Sequence, residues 1–253
     1  MHGARIDRVL ARRPTLRYPL GDDFVRRLER RQVGAVRRRA KYLLVELSSG
    51  DILLMHLGMT GSFRVMRQGR EEEALAHDHV VFEMSSGRAV VFNDPRRFGF
   101  MRVLSADEVI GHPALAVLGP EPLERTFTAA VLAEALRRRK TSLKAALLDQ
   151  QVVAGLGNIY ACEALHHARL SPKRRASTVV DRSGAPKPAA VALVEAIKKV
   201  LGAAVANEHR MYGEDRFRVY DREGRPCPRR DGGTIRRIVQ GGRSTFYCPV
   251  CQR

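Results

Sequence analysis

The stretch Tyr42-Leu43-Leu44-Val45-Glu46-Leu47-Ser48-Ser49-Gly50-Asp51-Ile52-Leu53-Leu54-Met55-His56-Leu57 holds two short apolar runs joined by a Ser-Ser-Gly turn. Runs of this length, rich in branched side chains and bounded by turn residues, read as paired strands. The same pattern recurs at His79 to Met84 and Arg88 to Phe92 around Ser85-Ser86-Gly87, with a further strand at Ser62 to Met66. Short strands with turns at this spacing predict a β-sandwich or barrel over residues 1–104. Asp23 to Arg30 reads as one short helix on its rim.

The period changes after Gly119-Pro120-Glu121-Pro122. Phe127, Val131, Leu132, Ala135 and Leu136 recur at helical spacing, with Arg137, Arg138 and Arg139 at the C-terminal end, where cations complement the helix dipole. Ser142 to Leu148, Ile159 to His166 and Ala189 to Ala206 also read as helices, and Ser171 to Pro188 as a polar linker. From Phe217 the chain returns to short strand-like pieces around cysteines. The expected class is α+β, with a β-sandwich domain at 1–104, a helical domain at 105–215 and a cysteine-bearing hairpin at 216–253.

The charge narrows the function. Lys and Arg number 45 against 27 Asp and Glu, a net +18 over 253 residues. Such an excess implies a polyanionic partner, nucleic acid before an anionic membrane surface. Its bland counterpart is a solvated, Arg-rich surface. There is no run of about 18 apolar residues for a membrane helix, and Met1-His2-Gly3-Ala4 has no apolar signal core. Four cysteines are too few for a disulfide scaffold, so the expected setting is reducing and cytoplasmic, close to the nucleoid.

Those cysteines are better read as ligands. Cys248-Pro249-Val250-Cys251 is the two-residue-spaced pair common in zinc sites, and Cys227 lies upstream. A Cys₄ set would put a fourth cysteine at position 230, where Arg230 stands, and Asp231 is the nearest substitute donor. A structural zinc and a metal-free hairpin are both open at this point. Cys162, on an apolar helical face with Leu165, reads as a buried thiol.

Seven blocks, in order, carry a family resemblance. They are Arg38-Arg39-Ala40-Lys41-Tyr42-Leu43-Leu44, His56-Leu57-Gly58-Met59-Thr60-Gly61, His77-Asp78-His79-Val80, Asp94-Pro95-Arg96-Arg97-Phe98-Gly99, Leu118-Gly119-Pro120-Glu121-Pro122-Leu123, Gly155-Leu156-Gly157-Asn158-Ile159-Tyr160 and Arg243-Ser244-Thr245-Phe246-Tyr247-Cys248. Together they resemble the formamidopyrimidine-DNA glycosylases, the sixth block resembling that family's helix–two-turn–helix signature and the seventh its terminal zinc finger.

The resemblance implies a base-excision enzyme that removes oxidised purines, formamidopyrimidine and 8-oxoguanine, from double-stranded DNA and then cleaves the abasic site. It also implies a monomer with a structural zinc. An enzyme that works on a paired base must flip it out and fill the gap, and an apolar wedge suits that gap. By resemblance the wedge is Met59 with Arg96 and Phe98. For Met59 and Phe98 taken alone, core packing is the competing reading. His77 and Arg139 match family positions that contact DNA phosphates, and Asn158 stands where a Gly-rich turn enters a helix, whose backbone N–H groups bind phosphate readily. Surface cations would explain the first two as well, and a plain helix N-cap the third. Arg243 matches a phosphate-contacting Arg that assists the second elimination. Lys41 matches a lesion-contacting proton donor, its bland alternative being a strand-edge lysine.

The pattern departs from the family in three places. Family enzymes begin with a Pro whose secondary amine attacks the sugar C1′, followed by an acidic Glu. Here Gly3-Ala4-Arg5-Ile6-Asp7-Arg8-Val9 resembles a stretch about twenty residues further in, a distance on the scale of one short helix. The expectation is a start codon set too late, with the nucleophile, the Glu and the first helix upstream. The alternative is a catalytically inactive damaged-DNA-binding protein. The chain as written is not expected to run the Pro-based reaction. Second, the segment between Leu201 and Val219, where the family carries a loop closing over the flipped purine, is shorter and reads Asn207-Glu208-His209-Arg210-Met211-Tyr212-Gly213. Third, Arg230 replaces a cysteine. An RNA- or ribosome-associated basic protein is a more distant reading.

Overall fold

The structure, a computed structural model, describes residues 1–69, 75–206 and 217–253, and the chain divides into two compact units, Met1–Ala116 and Val117–Arg253. The closing-loop segment Asn207 to Gly213 lies outside the described residues.

The first unit is built from two four-stranded antiparallel sheets. One has the order β2 (Val33–Arg39), β3 (Tyr42–Leu47), β4 (Ile52–His56), β8 (Phe100–Leu104). The other has the order β1 (Ile6–Ala11), β6 (Asp78–Met84), β7 (Arg88–Asn93), β5 (Ser62–Arg67). Val45, Leu47, Leu53, Met55 and Met101 of the first sheet share one buried cluster with Val9, Phe82, Met84, Val90 and Phe92 of the second. That is the core of a sandwich, as the sequence predicts. Helix α1 (Phe24–Leu28) adds Phe24 and Leu28 to it. The run Ile52 to Met55 does not alternate because β4 is buried on both faces. Leu53 and Met55 point into the core, and Leu54 packs with Phe100 and Leu104 against Val109 and Leu115. The last two come from α2 (Ala106–Ile110), which starts on a Ser105–Glu108 capping box, and α3 (Pro113–Ala116).

The second unit holds α4 (Ala129–Leu136), α5 (Leu143–Leu148), α6 (Asn158–His167), a 3₁₀ turn at Ala176–Val179 and α7 (Pro188–Ala206), followed by the hairpin β9 (Arg236–Gln240) and β10 (Arg243–Tyr247). Thr128 and Ser142 cap α4 and α5 with their hydroxyls, and Pro188 opens α7, where its missing N–H costs nothing. Phe127, Leu132, Leu147, Leu165, Leu193 and Ile197 lie in the helical core, and a second small core gathers Cys162, Val219, Cys227, Ile235, Phe246 and Cys248.

Helix α6 serves both cores. Ala161, Ala164 and Leu165 face the helices. Asn158, Cys162, Glu163 and His166, spaced on another face, all engage the cysteine-bearing segment. Among the described residues no helix is long and apolar enough to cross a membrane.

Candidate nucleic-acid interface and metal centre

Two loops at one end of the sandwich bring three of the expected residues together. The β4–β5 connection carries Met59 and the β7–β8 connection carries Arg96 and Phe98. Met59 is 71% exposed and Phe98 41%, so neither is a core side chain. Arg96 joins them: its Nη1 donates to Met59 Sδ at 3.4 Å, and its guanidinium lies 4.5 Å from the centre of the Phe98 ring. An exposed Met and Phe held by an Arg form a projecting apolar tip with a cationic flank. His77, exposed and in the left-handed region at φ 71°, sits at the head of β6, and its carbonyl accepts the Asp94 N–H at 3.1 Å.

Lys41 occupies the two-residue turn between β2 and β3, where Arg39 pairs with Tyr42. Ala40, the other turn residue, is buried at φ 53°, a conformation that normally calls for glycine. This tight turn presents Lys41 at the exposed hairpin tip. Lys41, together with Arg17, adds to burial in pushing the nearby His56 imidazole below its usual range, burial being the larger cause.

In the second unit, the turn from α5 to α6 is tied by Gln150, whose side-chain carbonyl accepts the Gly155 N–H at 2.9 Å with Gly155 at φ 79°. Gly157 is the N-cap of α6, so Asn158 is the first helical residue, one place inside the cap position considered from sequence. Asn158 Nδ2 donates to the Ser244 carbonyl at 2.9 Å. The buried Lys144 Nζ donates to the same oxygen at 3.4 Å, with burial pushing its ammonium below the usual lysine range and Arg243 adding to the effect. Ser244 follows Arg243 directly after the Gly241–Gly242 turn, where both glycines have positive φ as a tight hairpin requires. Arg243 is therefore exposed at a hairpin tip whose base is fastened to α5 and α6. Arg139 is held by Asp149, Nη1 to carboxylate 2.6 Å.

The cysteine segment contains a donor set. One ligand atom each from Cys227, Asp231, Cys248 and Cys251 falls within 4.8 Å of all the others. Cys227 and Cys251 sulfurs are 3.9 Å apart, and Cys248 Sγ is 3.5 and 3.6 Å from the Asp231 oxygens. A tetrahedral zinc with its usual bond lengths has sulfur–sulfur edges of about 3.8 Å and sulfur–oxygen edges of about 3.5 Å, so the donors fit. The chain passes from Cys227 to Asp231 through Arg230 at φ 55°, and leaves Asp231 through Gly232 at φ 75°. Gly233 has no room for a side chain, since a Cβ there would lie 2.5 Å from Cys248 Sγ. The Gly233 N–H, with lesser help from the neighbouring thiols, holds the Asp231 carboxyl down at about 2. Burial pushes the Cys227 and Cys251 thiols up, and a bound cation would reverse that. Asp231 thus stands where Arg230 left the cysteine pattern incomplete. Cys162 is buried in the adjoining small core and is not among these donors.

Three family models tile the chain: the formamidopyrimidine-DNA glycosylase N-terminal domain at residues 1–101, its H2TH domain at 118–213, and the zinc finger found in FPG and IleRS at 224–253. The formamidopyrimidine-DNA glycosylase of Rhodopseudomonas palustris strain CGA009 is 56% identical over 275 residues, covering all of this chain and 94% of that protein. The chain belongs to the formamidopyrimidine-DNA glycosylase family. The corresponding protein of Afipia carboxidovorans is 54% identical over 277 residues, again with all of this chain and 94% of the relative covered. Among solved structures, the Lactococcus lactis formamidopyrimidine-DNA glycosylase non-covalently bound to DNA with an abasic site superposes at TM-score 0.88 with 28% identity, covering 100% of this chain and 94% of that one. A MutM complex with carbocyclic 8-oxo-G DNA superposes at 0.87 with 29% identity over 100% and 94% of the two chains.

Several residues of these regions escaped the sequence reading. Asp94 and Thr60 lie inside quoted family blocks, between residues chosen for their exposure. Asp149 caps the C-terminus of α5, while Lys144 within α5 and Glu163 within α6 are buried, where a helical pattern gives no sign that a polar side chain is turned inward.

Proposed function

We propose that the chain acts in base-excision repair as a DNA glycosylase with abasic-site lyase activity on oxidised purines, formamidopyrimidine and 8-oxoguanine, in duplex DNA. The observation that carries this reading is the exposed Met59–Arg96–Phe98 cluster, a surface of no use to a folded monomer and suited to filling a vacated base stack. Lys41, presented on a strained turn, contacts the lesion and its phosphate and donates a proton in the eliminations. Arg243, at the β9–β10 hairpin tip of the second unit, assists the second elimination. His77, Arg139 and Asn158 contact phosphates, the last with the N–H groups at the start of α6.

A structural zinc held by Cys227, Asp231, Cys248 and Cys251 supplies folding energy to the hairpin that carries Arg243. In this reading residues 1–104, 105–215 and 216–253 are the lesion-facing, helix–two-turn–helix and finger parts of one cytoplasmic, nucleoid-associated monomer.

Borohydride reduction in the presence of abasic-site duplex is the direct test, using the protein isolated from its own cells with its N-terminus read by intact mass. A trapped protein–DNA adduct is expected. Tight binding to abasic duplex with no adduct would instead favour a damaged-DNA-binding protein that does not cut.

Two binding results are expected alongside. Phe98→Ala should weaken binding to a lesion duplex about tenfold, the scale of one lost aromatic stack, and binding to intact duplex much less. Equal losses on both would remove the wedge role. Affinity should also fall steeply with salt, because each phosphate contact releases counterions, and a flat response would argue against phosphate binding.

A further inference from the structure

The two loops that carry the wedge are joined by one buried carboxylate. Asp94 is fully buried, and each of its polar atoms is committed. Oδ1 accepts the Thr60 hydroxyl at 2.5 Å, and Oδ2 accepts the Gly99 N–H at 2.8 Å. The carbonyl of Asp94 lies 2.9 Å from Nε2 of buried His79. The Thr60 hydroxyl donates to Asp94 and in turn accepts the Arg96 N–H at 3.2 Å. Thr60 therefore bridges from the residue next to Met59 to the backbone of Arg96.

The loops also meet backbone to backbone. A Cβ on Gly58 would lie 2.5 Å from the Phe98 carbonyl carbon, and one on Gly99 would lie 2.8 Å from the His56 carbonyl oxygen. Between them Arg97 is held at φ 53°, its N–H on the Asp94 carbonyl at 3.2 Å. A non-glycine residue keeps such a conformation only when its surroundings fix it.

We propose that Asp94 and Thr60 form a clamp of positioning residues that joins the Met59 loop to the Arg96–Phe98 loop, so that three exposed side chains enter DNA as one preformed wedge. The proposal rests on the wedge reading given above. The clamp keeps Met59, Arg96 and Phe98 in contact before DNA arrives, and so lowers the ordering cost of insertion. Neither Asp94 nor the Thr60 hydroxyl is needed to touch DNA.

The test uses the full, metal-loaded chain and requires no cleavage. The probe is a duplex with a tetrahydrofuran abasic analogue opposite 2-aminopurine, whose fluorescence rises when the opposite base is unstacked. Thr60→Val keeps the shape and removes the hydroxyl, whereas Thr60→Ser keeps the hydroxyl and removes a methyl. Thr60→Val is expected to lose most of the fluorescence rise and to weaken binding to this duplex about five- to tenfold, the size of one or two lost hydrogen bonds. Its binding to intact duplex should stay within about twofold, and Thr60→Ser should behave like the parent. Asp94→Asn should resemble Thr60→Val if it folds.

Met59→Ala and Phe98→Ala separate the two claims. If both lose the signal while Thr60→Val keeps it, the wedge stands and the clamp falls. If Thr60→Ser is damaged more than Thr60→Val, the site is ordinary packing and the clamp falls. If neither Met59→Ala nor Phe98→Ala changes the signal, the wedge reading itself is overturned.

Discussion

Stripping the metal from the finger is expected to unfold residues 224–253 locally and to cost at least tenfold in DNA affinity. The small core behind the donors is Cys162, Val219, Cys227, Ile235, Phe246 and Cys248, and two of those six belong to the proposed donor set. So few apolar side chains cannot hold a loop-rich segment folded, and in such modules the binding energy of the metal is the folding energy. With the finger unfolded, Arg243 loses the hairpin that presents it. The measurement is metal content by mass spectrometry, then protease resistance and DNA affinity before and after dialysis against a chelator. One zinc per chain and a new cleavage site after chelation are expected. A finger that stays protease-resistant without metal would end the idea that zinc holds it.

Asp231 as the fourth zinc donor is testable by substitution. Asp231→Ala should release zinc at chelator concentrations that the parent withstands, whereas Arg230→Ala should leave retention unchanged. Asp231→Cys should retain zinc at least as well as the parent, since thiolate is the softer donor. The opposite ranking of Arg230→Ala and Asp231→Ala would exclude the carboxylate from the donor set.

What the sequence makes legible follows from where each element lies in the fold. The expected strands at Tyr42 to Leu47, Asp51 to Leu57, Ser62 to Met66, His79 to Met84 and Arg88 to Phe92 correspond to β3 to β7, with small shifts at the ends. The strands not singled out are β1, β2 and β8, and all three are sheet edges. An edge strand has a free flank that tolerates charge, so β2 reads Val33-Gly34-Ala35-Val36-Arg37-Arg38-Arg39 and loses the apolar signature of its neighbours. The helices α4 to α7 emerge from their period because each turns one stripe toward a common core.

Helix α6 is the instructive case among these. Its order was readable, but its second buried face was not. Asn158, Glu163 and His166 look like an ordinary polar stripe, and Cys162 like a thiol of the helical core, until the finger is seen docked on them. The β4–β5 and β7–β8 loops show the converse. Met59 and Phe98 are apolar and taken alone would be assigned to the core, yet their loops are anchored by Asp94 and Gly99 from beneath, which leaves the apolar residues exposed. Polarity predicts burial only when the backbone is free to choose which side chain turns inward.

Replacing Glu163 should be the most destabilising single polar change in the second unit. Its carboxylate is buried within α6 and accepts three consecutive backbone N–H groups: Arg218 on Oε2 at 2.9 Å, and Val219 and Tyr220 on Oε1 at 2.9 and 3.0 Å. Charge-assisted bonds of this kind are roughly twice as strong as neutral ones. Glu163→Ala leaves three donors without an acceptor, one of them on fully buried Val219, and opens a small cavity beside the finger core. At roughly 1–3 kcal/mol for each stranded group, discounted for the partly exposed Arg218 and Tyr220, the loss is about 3–5 kcal/mol. That corresponds to a fall in Tm on the order of 10 °C for a unit of this size. Glu163→Gln keeps one acceptor for Val219 and Tyr220 but turns an NH₂ toward Arg218, so about half the loss is expected. Calorimetry on the zinc-loaded protein measures both. If Glu163→Ala melted within about 2 °C of the parent, less than 1 kcal/mol would be at stake. The three N–H groups would then find other partners, and the finger would be held to α6 chiefly through Asn158, Cys162 and Cys227 beside His166.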